Sequence, residues 1–553
     1  MLIVGGGING AGLFRDLALQ GVDVVLVEKA DFCCGASAAP SRMIHGGLRY
    51  LEFGEFRLVQ ESLKDRNLLL QNAPHYVHPL PTTIPIFRWL SGAMSSAKRF
   101  LHLGGDRPAQ RGAAMVKLGL TFYDVFTRKQ RLMPKHHFST RAAALARRPL
   151  LNPRLIAAAT YYDAWISYPE RLCLELLLDG EELCPDARAI NYVSLQGGSG
   201  ETVSLRDELS GELFEMRPKV LVNATGAWID LTNRALGCQT RMIGGTKGAH
   251  LVLDNAELMK TLDGEMLYYE TADGRVSVAL PWLGKALVGS TDIRVENPDE
   301  VRCEEDEIDY ILDSLRQVLP KLKLDRSQIV SYFSGVRPLR YSEASATVQV
   351  SRDHLCSVLP PNDKLGYPVY SLIGGKWTTF RAFAAQVREQ LLAQLGRARR
   401  MGTEDVPIGG GKSFPKDEDS RGRWLRRVAE RTQLDEPRLA LLLDRYGSRA
   451  EQVATFLAEQ PDRPLAHHPT YTAREIEFLL RRERVIHPDD LLLRRTAIAL
   501  LGELSDGLFG ELIDLMAQHY GWSKEETRRE ADRTAAILAD RHGVKVTYPG
   551  GEG

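Results

Sequence analysis

The sequence predicts an α/β protein with a doubly wound, Rossmann-type domain, followed by an all-α C-terminal region. Three observations predict this class: the chain is long, it opens with a strand–glycine loop–helix–strand unit, and its C-terminal part changes to charged helical segments. A chain of 553 residues exceeds the usual size of one domain. We therefore expect two parts, residues 1–400 and residues 401–553.

The composition excludes several classes of protein. Hydrophobic residues make up 44% and charged residues 26%, as in a globular protein rather than a disordered or fibrous one. The 71 Lys and Arg balance the 71 Asp and Glu, which argues against a dedicated nucleic-acid-binding protein. The seven cysteines form no CxxC pair, so we expect neither a zinc ribbon nor a thioredoxin-type dithiol. We also expect no metal site and a reducing compartment.

The first element is a dinucleotide-binding fingerprint. Residues 2–4 form a buried strand that runs into Gly5, Gly7 and Gly10, and a helix and a second strand ending at Glu28 follow. Such glycines allow a tight turn and let backbone amides and the helix N-terminus approach a pyrophosphate. The carboxylate of Glu28 suits a ribose hydroxyl and disfavours a 2′-phosphate, so NADP is a poor fit.

Two later segments favour FAD over NAD. A buried strand ends in small residues at Ala224, Thr225 and Gly226, and another ends in Gly374 and Gly375 at the mouth of a helix. Small residues at strand ends let a cofactor pass close to the backbone, and a helix N-terminus favours negative charge on a reduced flavin. Because no second fingerprint follows, electrons must leave to oxygen, a quinone or a protein carrier.

With these segments in place, the chain resembles the FAD-dependent glycerol-3-phosphate dehydrogenases. The string MIHGGLRYL at residues 43–51 is the most specific match, and the tail at residues 484–496 is similar to the C-terminal domain of the family. The resemblance covers residues 1–400 in family order. Its other motifs lie at residues 247–250, 280–283, 289–292, 334–339, 351–354 and 374–376.

The resemblance implies a fold and an activity. The fold is an FAD-binding, doubly wound Rossmann-type domain with an inserted, mainly antiparallel β substrate domain and an all-α C-terminal domain. The activity is oxidation of sn-glycerol 3-phosphate to dihydroxyacetone phosphate, with non-covalent FAD and a membrane quinone as electron acceptor. The protein would be cytoplasmic, peripheral on the inner face of the cytoplasmic membrane, and we expect a homodimer that binds no nucleic acid.

The same resemblance implies substrate-binding and catalytic residues. A phosphomonoester dianion needs several cations and donors, and removal of the alcohol proton suits a histidine. His45 is the first candidate for the proton acceptor and His250 the second, and Arg337 is also suited to stabilise a developing alkoxide. The predicted substrate-binding residues are Arg49, Tyr50, Arg337, Arg352 and Lys376.

The predicted cofactor contacts come from all of these segments. Residues 35–42 depart from the family pattern, because Arg42 stands where the family usually carries a lysine and hydroxyls are fewer. The predicted cofactor-binding residues are Gly5, Gly7, Gly10, Glu28, Ser37, Ser41, His45, Gly46, Gly47, Ala224, Thr225, Gly226, Gly375, Lys376, Trp377 and Thr378.

A basic segment spans residues 71–150. It holds thirteen Lys or Arg and two Asp or Glu, interleaved with aromatic and aliphatic residues. This mixture is typical of a surface that lies on anionic lipid, from which a quinone could be reached. The alternative is a solvated basic face that attracts an anionic substrate.

The remaining segments predict connections and helices, and three other functions stay open. Residues 407–415, rich in Pro and Gly, predict a linker, and Ser523 with Glu526 predicts a capped helix start. A glycerol-3-phosphate oxidase would use the same pocket but reduce oxygen to peroxide. An amine or amino-acid oxidase of the same fold would not need phosphate-binding cations, and a non-catalytic flavoprotein would not be reduced by any small alcohol.

Overall fold

The fold is given by a computed structural model. It describes residues 1–48, 50, 54–88, 116–117, 119–121, 123–124, 133–271, 273–342 and 353–550. Arg49, Arg352 and much of the basic segment at 71–150 lie outside these ranges.

A six-stranded sheet, parallel except at one edge, contains the predicted strand–loop–helix–strand unit at its centre. Leu2 pairs in parallel with Val25 on one side and with Leu221 on the other. Helices cover both faces of such a sheet, which is why these strands read as continuous apolar runs. In spatial order the strands are β18 (Leu355–Leu359, antiparallel), β19 (Val369–Ile373), β11 (Leu221–Asn223), β1 (Leu2–Val4), β2 (Val25–Glu28) and β7 (Arg188–Asn191).

Helix α1 (Ile8–Leu19) packs between helices α4 (Pro169–Leu183) and α8 (Phe380–Gln394). Its predicted apolar face is buried, but so are Arg15 and Asp16. Arg15 pairs with Asp179 of α4 at 3.0 Å, and Asp16 pairs with Arg388 of α8 at 2.8 Å. Buried charges must be paired, so these bridges fix how the three helices lie against the sheet.

A second, ten-stranded sheet is built from segments inserted between the parallel strands. Its neighbours are antiparallel except for one parallel pair, β13 with β4. The predicted inserted antiparallel domain is therefore confirmed. The strands are β3 (Met43–Ile44), β4 (Val77–Ile86), β5 (His137–Thr140), β6 (Ala157–Ile166), β12 (Thr246–Leu253), β13 (Met266–Glu270), β14 (Val276–Trp282), β15 (Lys285–Gly289), β16 (Ile293–Arg294) and β17 (Ile329–Arg337).

Shorter elements connect the two large sheets. A three-stranded antiparallel sheet follows β7. It consists of β8 (Val193–Ser199), β9 (Thr202–Asp207) and β10 (Leu213–Met216). The remaining helices of this part are α2 (Phe56–Asn72), α3 (Arg141–Arg147), α5 (Ile229–Ala235), α6 (Ala256–Leu262) and α7 (Glu305–Val318).

The C-terminal region is helical as predicted, and it also contains a short β-hairpin that was not predicted. The capping box of Ser523 and Glu526 is present as predicted. One hydrophobic cluster joins Trp282 and Phe333 of the large sheet to Leu442 and Phe509 of this region. The elements are α9 (Glu418–Thr432), α10 (Glu436–Tyr446), α11 (Ala450–Ala458), β20 (Pro464–Leu465), β21 (His468–Thr472), α12 (Ala473–Arg482), a helical turn (Pro488–Asp490) that continues as a π-turn (Leu491–Arg495), α13 (Asp506–Tyr520) and α14 (Lys524–His542).

The segment predicted as a linker, residues 407–415, is packed rather than open. Gly409, Gly410 and Gly411 are buried, and a Cβ on Gly410 would meet the carbonyl oxygen of Tyr446 at 2.2 Å. The amide of Gly409 donates to Asp179 at 3.0 Å. The glycines therefore serve close packing between the two parts of the chain, where sequence alone suggested flexibility.

Candidate active site

A cavity of about 820 Å³ opens at the carboxyl ends of the central parallel strands. This is the edge at which open α/β sheets bind ligands, and the volume suits a large cofactor with a small substrate. Its charged lining comprises six Lys or Arg and four Asp or Glu side chains. The excess of cations favours a polyanionic ligand.

The glycine-rich loop forms one wall of the cavity. Gly5 has φ +111°, and a Cβ there would meet the carbonyl oxygen of Ala224 at 2.6 Å. A Cβ on Gly10 would meet the carbonyl oxygen of Gly5 at 2.0 Å. Gly7 caps α1 and faces the cavity, and the next amide, that of Ile8, donates to the hydroxyl of Ser37 at 2.9 Å. The loop therefore has the close turn and exposed helix N-terminus that an anion needs.

Glu28, predicted to bind a ribose hydroxyl, lies at the end of β2 and borders the cavity. Its carboxylate accepts the amides of Gly6 at 2.7 Å and Ala30 at 3.1 Å. Burial raises the pKa of Glu28, against these two hydrogen bonds, which favour the ionised form. The two amides fix the orientation of the carboxylate while the side chain still borders the cavity.

The small-residue segment and the second glycine pair also line the cavity. Ala224, Thr225 and Gly226 border it, and a Cβ on Gly226 would have no neighbour within 4 Å. The side-chain NH2 group of Asn9 donates to the carbonyl oxygen of Gly374 at 3.1 Å. The other side-chain atom, Asn9 Oδ1, has no hydrogen-bond partner among the described residues.

Trp377 ties the second glycine segment to residues 35–41. Its indole N–H donates to the carbonyl oxygen of Ser37 at 2.9 Å. The segments that were predicted separately are thus joined into one cradle.

Asp163 holds the HGG segment and was not predicted as a site residue. Strand β3 ends at Ile44, which pairs with Ala164 of β6, so Asp163 faces the turn that follows. Its carboxylate accepts the amide of Gly46 at 3.0 Å, pairs with Arg66 at 3.0 Å and accepts the hydroxyl of Tyr123. Burial raises the pKa of Asp163, against the charge of Arg66. A buried carboxylate with these partners holds the backbone of the string at residues 43–51 in place at Gly46.

The other side of this segment contacts the second glycine segment. The amide of His45 donates to the hydroxyl of Thr378 at 3.2 Å. Lys376 Nζ donates to Ser62 of α2 at 2.6 Å and lies 4.5 Å from the ring centre of Tyr50. His45, Tyr50, Lys376 and Thr378 all border the cavity. They form the first polar cluster of the site.

Arg337 organises the second cluster. Its guanidinium donates to Ser290 at 2.8 Å, to Asp292 at 3.2 Å, and to the carbonyl oxygens of Lys247 at 3.3 Å and Thr291 at 3.1 Å. These acceptors fix the direction of the guanidinium, which borders the cavity. It therefore presents a positive charge there in one orientation.

His250 lies beside Arg337 in this second cluster. Its ring is buried, stacks on Phe333 with centroids 5.2 Å apart, and its Nε2 lies 2.8 Å from the hydroxyl of Ser41. Burial first, and then the charges of Arg337 and Arg42, lower the pKa of His250 to about 3. The imidazole is therefore neutral near neutral pH.

Most of the predicted site residues border the cavity, and a few do not. Arg42, which was noted as a departure from the family pattern and not predicted as a site residue, is buried, pairs with Glu170 at 2.9 Å and lies over Trp282 in the core. Among the described residues, the predicted residues that stand behind the cavity wall are Gly10, Gly46 and Gly47, while Arg49 and Arg352 lie outside the described ranges. The predicted residues that border the cavity are Gly5, Gly7, Glu28, Ser37, Ser41, His45, Tyr50, Ala224, Thr225, Gly226, His250, Arg337, Gly375, Lys376, Trp377 and Thr378.

The C-terminal region contributes to the cavity, which the sequence motifs did not predict. No site residue was expected beyond residue 378, but several C-terminal side chains border the same space. They are Asp489, Leu493, Arg494, Arg533, Ile537, Arg541 and His542. A periodic signal was available, since Arg533, Ile537 and Arg541 recur at intervals of four on one helix.

These residues fit FAD. A Cβ on Gly5 or Gly10 would collide with the backbone, Glu28 borders the cavity at the end of β2, and Asn9 Oδ1 has no partner among the described residues beside the second glycine pair. FAD would be held by residues 5–10, Glu28, residues 224–226 and residues 374–378.

Comparison with known proteins gives consistent matches. The sequence profile of FAD dependent oxidoreductases matches residues 1–358, and that of the C-terminal domain of alpha-glycerophosphate oxidase matches residues 401–527. The chain is 32% identical to a glycerol-3-phosphate dehydrogenase of Synechocystis sp., over 96% of this chain and 95% of that protein. It is 31% identical to a D-erythritol 1-phosphate dehydrogenase of Brucella abortus, over 93% of this chain and 97% of that protein.

A solved structure has the same fold. The glycerol-3-phosphate dehydrogenase from Bacillus halodurans complexed with FAD superimposes with a TM-score of 0.75, at 22% identity, over 97% of this chain and 94% of that one. The predicted fold class is therefore confirmed along the chain.

Proposed function

The chain belongs to the FAD-dependent oxidoreductases, among the glycerol-3-phosphate dehydrogenases, and we propose that it oxidises sn-glycerol 3-phosphate to dihydroxyacetone phosphate and passes the electrons to a membrane quinone. Bound FAD supplies a two-electron acceptor for the hydride of the C2 carbon. The protein itself must hold the phosphate, orient the alcohol and take up its proton.

One observation carries the proposal. The cluster of His45 with Lys376 and the cluster of His250 with Arg337 border the same cavity as the glycine-rich loop. Arg337 and Lys376 are the cations we assign to the phosphate, with Arg49 and Arg352 as further candidates from the family resemblance. An arginine held by four acceptors loses little conformational freedom when it binds a phosphomonoester. A neutral amino-acid substrate would not require this set.

We assign the proton of the C2 hydroxyl to His45, and an orienting role to His250. A base works best when its pKa is near the working pH, and the pKa of His250 is about 3 in the substrate-free protein. A phosphate dianion beside Arg337 would partly cancel the positive charge of that arginine, which contributes to the low pKa of His250. His250 could then hydrogen-bond the substrate together with Ser41 while remaining neutral.

A quinone acceptor and a membrane-peripheral location belong to the same proposal. Among the described residues, no helix has both the length and the apolar character needed to cross a bilayer. We infer that the basic segment at residues 71–150 brings the protein to anionic lipid, where a quinone is accessible. On this proposal the enzyme acts at the inner face of the cytoplasmic membrane.

Two specific observations favour second candidates. The match of residues 401–527 to the alpha-glycerophosphate oxidase domain favours an oxidase that reduces oxygen to peroxide. The 31% identity to a D-erythritol 1-phosphate dehydrogenase favours a longer polyol phosphate as substrate. Both alternatives keep FAD and the phosphate-binding cations.

Anaerobic reduction of the FAD-loaded protein tests the proposal. Addition of glycerol 3-phosphate should bleach the flavin absorbance, and glycerol without phosphate should not, because the cations would have no dianion to bind. D-erythritol 1-phosphate, added separately, tests the longer substrate. A flavin that stays oxidised with both phosphates would contradict an alcohol-phosphate dehydrogenase.

The electron acceptor is then tested by reoxidation. Slow recovery in oxygen that a soluble quinone analogue accelerates would support the quinone. Fast recovery with an equal amount of peroxide would support the oxidase instead.

A further inference from the structure

One face of helix α14 lines the same cavity as the glycine-rich loop. Arg533, Ile537 and Arg541 border this cavity, and residues four apart lie on one side of a helix. Ala531 and Leu538, on the other side, are fully buried in the core. The helix therefore presents two cations and an apolar side chain to the cavity as a continuous wall.

The C-terminal region is attached beside the ribose end of the cavity. Asp31 lies three residues after Glu28, and its side chain is buried. It accepts Arg494 at 2.5 Å and Arg495 at 2.7 Å, both from the C-terminal π-turn. The charges of the two arginines lower the pKa of Asp31, against the effect of burial. These pairs keep the C-terminal region docked next to Glu28.

Helix α14 is joined to this attachment through Asp489. Arg533 donates to one oxygen of Asp489 at 2.6 Å, and Arg494 donates to the other at 3.0 Å. Burial alone would raise the pKa of Asp489, but the charges of Arg494 and Arg533 lower this pKa to about 2. The carboxylate is therefore ionised near neutral pH, and it couples the helix to Arg494, which also pairs with Asp31.

The opposite rim of this part of the cavity also faces α14. Asp299 accepts the indole N–H of Trp228 at 2.8 Å and Lys29 at 3.2 Å. The hydrogen bond from Trp228 and the charges of Lys29 and Arg541 hold the pKa of Asp299 below its usual range, against the effect of burial. Trp228 and Asp299 thus border the same cavity as Glu28 and Arg541.

We propose that the C-terminal region is part of the cofactor site, and that Ile537 and Arg541 of α14 enclose the adenosine half of FAD. An apolar side chain suits the flat face of a purine, and a cation suits the oxygens of a ribose or a phosphate. FAD binding is then thermodynamically linked to docking of the C-terminal region. The proposal rests on FAD as the cofactor of the proposed function.

Affinity for FAD tests the proposal without any measurement of activity. The full-length apoprotein is titrated into FAD, and quenching of flavin fluorescence gives the dissociation constant. Arg541→Ala and Ile537→Ser should each weaken binding by roughly tenfold. The matched control is Arg528→Ala, in the same helix but 64% exposed and near Asp532, which should bind FAD like the wild type.

Hydrogen exchange gives a second readout that requires no variant. FAD should slow amide exchange in α14, residues 524–542, and leave residues 418–432 of α9 unchanged. Equal FAD affinity for all three variants, with protection confined to residues 1–400, would overturn the proposal. A wild-type protein that takes up no FAD would overturn the proposed function as well, so the two failures are distinguishable.

Discussion

Arg337 shows how separate motifs of the sequence meet at one side chain. Its guanidinium is held by Lys247, Ser290, Thr291 and Asp292, which come from two other motifs of the family resemblance. Gly248 belongs to the same arrangement, because a Cβ there would meet the Arg337 guanidinium at 2.1 Å. The side chains of Ser290 and Asp292, the lack of a side chain at Gly248 and the backbone carbonyls of Lys247 and Thr291 together position one positive charge.

Replacing this charge should impair turnover but not the cofactor. Arg337→Ala should lower kcat/KM for glycerol 3-phosphate by about 10²–10³, the usual cost of removing one charge-stabilising donor. Steady-state kinetics and the flavin absorbance spectrum measure the two effects. Arg340→Ala, an exposed arginine three residues later, is the control and should leave both unchanged. Unchanged kinetics in Arg337→Ala would show that the phosphate binds elsewhere.

His250 makes the stability of the protein depend on pH. Its pKa is about 3 in the folded protein, against 6.5 for an ordinary histidine, because burial and two arginines disfavour the charged ring. Between pH 3 and pH 6.5, His250 therefore binds a proton in the unfolded chain but not in the folded protein. The contribution of His250 is complete above pH 6.5 and is lost as the pH falls from 6.5 toward 3.

A His250→Gln variant should lose less stability in acid than the wild type. Between pH 8 and pH 5 the difference should be about 2 kcal/mol in the free energy of unfolding, since each pH unit below 6.5 costs about 1.4 kcal/mol. Urea unfolding of the FAD-bound proteins at the two pH values measures it. His467→Gln, at an exposed histidine, is the control and should show the wild-type loss. The same loss in His250→Gln would contradict the neutral, buried ring.

At the scale of elements, the pairing of β3 with β6 decides where the HGG segment lies. Ile44 pairs with Ala164, and Asp163 then receives the amide of Gly46 together with Tyr123 and Arg66. Helix α2 contributes Arg66 to this network from one side and Ser62 to Lys376 from the other. A short strand and one helix thus position the first polar cluster.

Removing one hydroxyl from this network should affect substrate binding. Tyr123→Phe should lower the free energy of unfolding by about 1–3 kcal/mol and also raise KM for glycerol 3-phosphate, because Gly46 and Asp163 lose a partner. The matched control is Tyr269→Phe, at a buried tyrosine of the same sheet whose hydroxyl bonds Ser314 at 3.3 Å. It should lose stability without a change in KM. Equal KM values for the two variants would show that Tyr123 serves stability alone.

At the scale of the whole molecule, part of the basic segment is already neutralised by the fold. Arg148 is buried and pairs with Glu265 at 2.6 Å, and Arg147 pairs with Asp263 at 2.9 Å. Both cations were counted in the sequence as part of a surface charge, but Arg148 is buried, and Arg147, although 45% exposed, is paired with an acid. Arg148 therefore cannot contribute to attraction to lipid, which must come from the basic residues at the surface.

Lipid binding should depend on charge in this segment. The wild type should pellet with vesicles that contain anionic lipid and not with neutral vesicles, and added salt should weaken the effect. Charge reversal by Lys98→Glu with Arg99→Glu should reduce pelleting. Arg423→Glu with Arg426→Glu, at exposed positions of α9, is the control with the same change in net charge. Equal pelleting with both vesicle types would leave the substrate-attracting basic face as the better explanation.

The sequence by itself determined the local features of this protein. The spacing of Gly5, Gly7 and Gly10, the buried strands and the acid at Glu28 predicted the dinucleotide site, because each constrains the backbone within a few residues. The family motifs predicted the inserted sheet, and most of the site residues predicted from the sequence border the cavity. Periodicity and turn chemistry are local properties, so a single sequence is enough to read them.

Only the tertiary structure decided which distant groups meet. Arg494 and Asp31 are 463 residues apart, yet their pairing docks the C-terminal region beside the cofactor cavity. The burial of Arg42, the packing of the glycines at 409–411 and the role of Asp163 likewise depend on partners that no local pattern reveals. The sequence around a charged residue does not show whether that residue is exposed or buried. Burial becomes favourable only when the fold brings an oppositely charged partner near it.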